Sequence, residues 1–254
     1  MMMLLLATTV YSSAFKLGDL FEQTPNELID HFMESAIKPE EFQKPSFSMF
    51  DSQKLDHYDL LDERTWSQRY WQYDDYFDEK QGTVQVYFCG EAACGGMPGE
   101  HLFAGVLAKA FKSRLYVIEH RFYGESQPFP DLWSVDNLRY LTVQQALADV
   151  ALFIESKNVE IKNQYGFKPK WYSVGGSYAG AKSAWMRTLY PNLIETALAS
   201  SAVVHAIADY EQYDMQIRKS LLLSSEECAN NIRDVSNFAE FMVEHSEETR
   251  NQIK

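Results

Sequence analysis

A serine between small residues, in the run Val174-Gly175-Gly176-Ser177-Tyr178-Ala179-Gly180, stands where a strand-like segment, Lys170 to Val174, passes into a helix-like one. A sharp strand-to-helix turn presents a hydroxyl above a sheet, and small neighbours let strand and helix approach each other. Ser177 is therefore the candidate catalytic nucleophile of acyl-transfer chemistry through an acyl-enzyme. A glycine-rich turn around a serine also arises in ordinary strand-to-helix connections. The pattern departs mildly from G-x-S-x-G, because the second residue after the serine is Ala179, with Gly180 just beyond.

A serine hydroxyl needs a histidine base, a carboxylate to orient that base, and an oxyanion hole. The Tyr178 backbone N–H is the natural first oxyanion donor. A second is expected from the loop after an earlier strand, where Gly90 and Glu91 sit. An α/β-hydrolase carries its triad in the order Ser, Asp or Glu, His. Here the only histidines after Ser177 are His205 and His245. No acid-bearing strand separates His205 from the serine, and His245 lies in a charged run that reads as a solvated helix face. His57 and His120 lie in polar-aromatic segments, where a structural role is expected. No complete triad is visible.

The elements that must carry these residues alternate. Arg69 to Tyr73 has strand periodicity, Thr83 to Cys89 is β-branched and aromatic, His101 to Phe111 is helical, and Leu115 to Ile118 is a buried-strand run. Thr142 and Gln145 form a capping-box pattern before an apolar helical face. The strand Lys170 to Val174, a helix from Ala179 to about Leu189 and a strand from Ile194 to Ala199 follow. This β-α alternation predicts an α/β fold with a parallel sheet covered on both faces. Gly90, Glu119 and Ser177 fall just past strand ends, where such sheets place their sites. Glu119, Arg121 and Glu125 read as one structural charge network nearby. From Ala206 onward the chain is helical, polar and acidic, and the run Asp209 to Asp214 reads as a solvated helix face.

The 254 residues carry a formal charge of −13. That balance argues against nucleic acid as a partner, because its phosphates need a compensating basic face. Met1 to Ala14 reads as a signal peptide with Phe15 as the mature start, which places the chain in the secretory pathway. That run is too short to span a bilayer, and no later stretch is apolar enough. Cys89, Cys94 and Cys228 make an odd count whose spacing suits no zinc site. No Asn-x-Ser/Thr acceptor occurs, and no cofactor motif is read.

Four motifs in order resemble one family. They are Gln53 to Tyr58, Glu119-His120-Arg121-Phe122-Tyr123-Gly124-Glu125-Ser126, Leu138 to Leu141 with Gln145 to Asp149, and Gly175 to Gly180. They are similar to the serine carboxypeptidase-like family of lysosomal prolylcarboxypeptidase, dipeptidyl peptidase II and thymus-specific serine protease, with Ala179 nearest the thymus-specific branch. The resemblance implies an α/β-hydrolase fold with an inserted helical cap, and an exopeptidase acting on peptide substrates, often at proline-containing ends, after secretion or in a lysosome. It implies Ser177 as nucleophile and a triad Asp and His that follow the cap. It divides this chain into a signal peptide (1–14), an N-terminal part of the hydrolase domain with an incomplete sheet (15–203) and the start of the cap (204–254). Cys228 would then pair with a downstream cysteine, and the chain alone would hydrolyse nothing. Two other readings remain: an esterase using the same elbow, and an inactive relative that binds peptides or a partner through the inherited cleft.

Overall fold

The computed structural model describes residues 46–80, 82–96, 103–131 and 134–253. Met1 to Ala14, read as a signal peptide, and the start of the helix read from His101 lie outside them. The chain divides into two compact units, one ending at Val204 and one running from His205.

The first unit holds strands β1 (Ser48–Lys54), β2 (Thr65–Tyr73), β3 (Val84–Phe88), β4 (Arg114–Ile118), β5 (Trp171–Gly176) and β6 (Thr196–Ser200). Helices α1 (Phe103–Ala110), α2 (Val135–Leu138), α3 (Val143–Tyr165) and α4 (Ser177–Leu189) connect them. All six strands form one sheet in the order β1-β2-β4-β3-β5-β6. The pairs β4–β3, β3–β5 and β5–β6 are parallel, whereas β1–β2 and β2–β4 are antiparallel. The expected all-parallel sheet is thus corrected to a mixed one, and its strand order and elbow are those of an α/β-hydrolase.

The correction has a local cause. In β1 the residues Asp51, Ser52 and Lys54 are exposed, so no apolar period marks the strand. Gln53 alone turns fully inward, donating to Gln68 Oε1 at 2.6 Å and to the Asp149 carbonyl at 3.0 Å. The strand β2 also begins four residues before the Arg69 start read from alternation.

Alternation along the central strands divides the core between the two faces of the sheet. Val84, Val86, Phe88, Tyr116 and Ile118 pack with Leu147, Phe153 and Ile154 of α3 and with Met186 of α4. On the other face Trp71, Tyr73, Leu115 and Val117 pack with Ala108 of α1. The Thr142 side chain caps α3 by accepting from the Gln145 N–H at 3.2 Å. Gln145 does not reach back as a capping box requires. Its side chain donates to Asp56 Oδ1 at 2.6 Å and accepts from the His57 N–H at 3.0 Å, so the α3 N-terminus anchors the loop after β1 instead.

The second unit contains α5 (Glu211–Leu222), α6 (Glu226–His245) and α7 (Glu247–Ile253). The Ser225 hydroxyl caps α6 by accepting from the Cys228 N–H at 3.0 Å. The acidic run from Asp209 to Asp214 is exposed, and the Cys228 thiol is free. No helix among the described residues is long and apolar enough to cross a membrane.

Candidate active site

The turn read from glycine and serine is tight. β5 runs through Gly176, α4 begins at Ser177, and Ser177 has φ +57°, the left-handed region that an L-residue enters at a cost of roughly 1–3 kcal/mol. The serine is exposed, as a nucleophile at an elbow must be. Two glycines have no room for a side chain. A Cβ on Gly175 would collide with the Ala179 carbonyl, and one on Gly180 would lie 2.7 Å from the Ser200 carbonyl of β6. Ala179 is buried within the main core cluster, so the departure from glycine is accommodated. Behind the turn, the buried Ser173 and Ser183 hydroxyls lie 2.8 Å apart and tie β5 to α4.

Gly90 and Glu91 follow β3 inside a small ring closed by a disulfide between Cys89 and Cys94. Gly90 is half-buried with open space at its Cα, and Glu91 is exposed. The far end of this ring is held by a buried carboxylate. Glu119 accepts from the Cys94 N–H at 2.8 Å, from Arg69 at 2.6 and 3.0 Å, and from the Ser126 hydroxyl at 2.8 Å. Arg69 in turn donates to the Cys94 carbonyl at 2.9 Å. The Glu125 and Ser126 amides complete the carboxylate's coordination, each at 3.1 Å.

The expected single network of Glu119, Arg121 and Glu125 is therefore two. Arg121 pairs with Asp149 of α3 through two hydrogen bonds of 2.7 and 2.6 Å, and both side chains, like that of Glu119, are fully buried. It also donates to the carbonyls of Lys54, Leu55 and Tyr140. His57 Nε2 lies 2.8 Å from the same Asp149 carboxylate, in the structural role expected of it. Glu125 enters the Glu119 cluster with its backbone amide.

His120 is also structural. Its Nδ1 lies 2.7 Å from the Arg121 carbonyl and its Nε2 lies 2.9 Å from the Tyr178 hydroxyl. Burial, reinforced by the nearby Lys182 ammonium, pushes its pKa down to about 3. A neutral ring must then donate through Nδ1 and accept the Tyr178 proton at Nε2. Burial likewise pushes the Tyr178 phenol up to about 12, which keeps it a donor. Tyr178 is the second residue of α4, where helix geometry leaves backbone amides without intrahelical acceptors. No histidine among the described residues of the first unit is hydrogen-bonded to the Ser177 hydroxyl.

Sequence reasoning passed over Lys182. It lies four residues after Tyr178, hence on the same helix face, inside a stretch of otherwise small residues. A charge interrupting Ala179, Gly180, Ala181 and Ser183 is the signal that was available. Its Nζ donates to the Cys89 carbonyl at 2.9 Å, and burial pushes its pKa down to about 7 against the pull of Asp149 and Glu91.

The serine carboxypeptidase S28 family model matches residues 53–254. A relative from Caenorhabditis elegans is 40% identical over 186 residues, covering 72% of this chain and 33% of its own length. The thymus-specific serine protease of Homo sapiens is 34% identical over 174 residues, 67% of this chain and 32% of that protein. The lysosomal Pro-X carboxypeptidase of Bos taurus is 35% identical over 189 residues, 71% of this chain and 37% of that protein. The chain thus spans about a third of the length of such relatives. With an elbow serine in left-handed conformation, a disulfide-closed loop after β3 and a family match over most of its length, this chain belongs to the serine carboxypeptidase S28 family, a family of serine peptidases.

Proposed function

We propose that Ser177 is the nucleophile of a serine exopeptidase, forming an acyl-enzyme with peptide substrates, and that the Tyr178 and Gly90 or Glu91 amides form its oxyanion hole. The observation that carries this reading is the exposed Ser177 at φ +57°, held there by glycines that have no room for a Cβ. The first-turn amide of Tyr178 and the disulfide-closed Gly90–Glu91 segment both follow parallel strand ends of one sheet. The base and its orienting acid are assigned to residues other than His57 and His120, which are engaged elsewhere. A relative named as a lysosomal Pro-X carboxypeptidase supports prolyl-type exopeptidase action and a lysosomal site of action, and the apolar run from Met1 supports entry through the secretory pathway.

Fluorophosphonate labelling of the native full-length protein tests the reading, because the probe phosphonylates an activated serine. Labelling is expected in the parent and lost in Ser177→Ala. Equal labelling of parent and variant would reject Ser177. A parent that does not label, yet retains peptides in equilibrium dialysis, would favour a non-catalytic binding protein.

A further inference from the structure

Lys182 takes no part in the chemistry above, yet it is 3% exposed. Burying an ammonium costs on the order of several kcal/mol unless the ion is compensated. Among the described residues no carboxylate stands within ion-pair distance of it. Its compensation is the Cys89 carbonyl at 2.9 Å, with the rings of Tyr178 and Phe88 at 5.3 and 5.5 Å. The ammonium therefore touches both segments that supply the candidate oxyanion donors, α4 through Tyr178 and the post-β3 loop through Cys89.

The Cys89 carbonyl and the Gly90 N–H belong to one planar trans peptide unit, in which the two bonds point in opposite directions. Whatever holds the carbonyl inward turns the Gly90 N–H outward. The preceding unit is already fixed, because the Cys89 N–H donates to the Ile118 carbonyl of β4 at 3.1 Å. The next α-carbon is a glycine in open space, with no side chain to resist rotation of that peptide. The disulfide fixes the Cys89 side chain and Glu119 secures Cys94, five residues further on, while the hydrogen bond to the Cys89 carbonyl itself comes from Lys182.

We propose that Lys182 is a positioning residue for the oxyanion hole: its buried ammonium holds the Cys89 carbonyl and thereby aims the Gly90 amide. The proposal rests on the reading of Ser177 as nucleophile. A donor at this place preorganises the hole before substrate arrives, so its loss weakens binding of the tetrahedral state more than binding of the ground state.

The test uses the native full-length protein with Lys182→Met, which keeps the buried stem without the donor, Lys182→Gln, which restores an N–H one bond shorter, and Ser177→Ala. Five quantities are read: fluorophosphonate labelling rate, kcat and KM on a peptide, affinity for a peptidyl boronic acid, and affinity for the product peptide. Removing a whole oxyanion donor costs about 100- to 1000-fold in kcat, so misaiming one should cost roughly 10- to 100-fold. Lys182→Met is expected to lose that factor in labelling, kcat and boronate affinity, with KM and product affinity unchanged, and Lys182→Gln to recover part of it. Parental labelling in Lys182→Met, with labelling abolished by Ser177→Ala, would overturn the role of Lys182 and leave the nucleophile standing. Loss of product affinity in step with kcat, without recovery in Lys182→Gln, would also overturn it in favour of a purely structural lysine. Labelling that survives Ser177→Ala would remove the nucleophile reading and this inference together.

Discussion

The Nε2 of His120 accepts the proton of the Tyr178 hydroxyl across 2.9 Å, so a histidine beside the elbow is spent on holding the residue next to the candidate nucleophile. Tyr178→Phe removes that donor and leaves a buried ring nitrogen unpaired. Stability to chemical denaturation is expected to fall by about 1–3 kcal/mol, while fluorophosphonate reactivity changes only a few-fold because the Tyr178 backbone amide is retained.

His120 also sets an acid limb. Its folded pKa near 3 lies below the ordinary 6.5, so the unfolded chain binds the extra proton between those values. This group's contribution is complete above pH 6.5 and is lost as pH falls towards 3. Lys182 acts in an upper window, with a folded value near 7 against 10.5. The unfolded chain binds more protons there, so stability should rise between pH 7 and 10.5. Urea denaturation across both windows should show each slope, with Lys182→Met flattening the upper one.

The glycines of the elbow are not equivalent. Gly175→Ala drives a methyl into the Ala179 carbonyl and should destabilise the fold by about 1–3 kcal/mol or more. Gly176→Ala meets open space at an ordinary φ of −116° and should be near neutral. Thermal denaturation of the two variants checks the contrast, and equal shifts would contradict the geometry.

Reducing the Cys89–Cys94 bridge releases a loop that is otherwise tethered through Glu119 and Arg69. The loop-closure contribution of so short a ring is about 2 kcal/mol. Mild reduction is expected to slow fluorophosphonate labelling before the protein unfolds, a difference that circular dichroism followed alongside labelling would reveal.

Asp149→Ala strands the Arg121 guanidinium in the interior, with no carboxylate to meet it. Breaking a buried pair from one side costs about 3–5 kcal/mol, enough to abolish most of a domain's stability. Expression and denaturation of this variant beside Asp149→Asn would show whether the charge or the hydrogen bonds dominate.

Apolar runs announced the central strands, and the glycine-serine turn announced the elbow, because both are written in neighbouring residues. β1 was invisible for the opposite reason: Met49 and Phe50 are only half-buried, Asp51, Ser52 and Lys54 are exposed, and its one fully buried side chain is the polar Gln53. The capping box at Thr142 was half legible, since the hydroxyl acts within its own turn whereas Gln145 was claimed by Asp56, 89 residues away. Lys182 was missed because its partner, the Cys89 carbonyl, is 93 residues distant and carries no side-chain signature.

The sheet order also suits a chain that emerges from its amino end. β4 arrives with β2 and β3 already synthesised and pairs with both, β5 then adds to the free side of β3, and β6 to β5. β3 has no partner until β4 fills the place between it and β2, and only then do β5 and β6 extend the sheet outward. The seat beneath Ser177 closes last, when Ser200 of β6 comes to rest against Gly180.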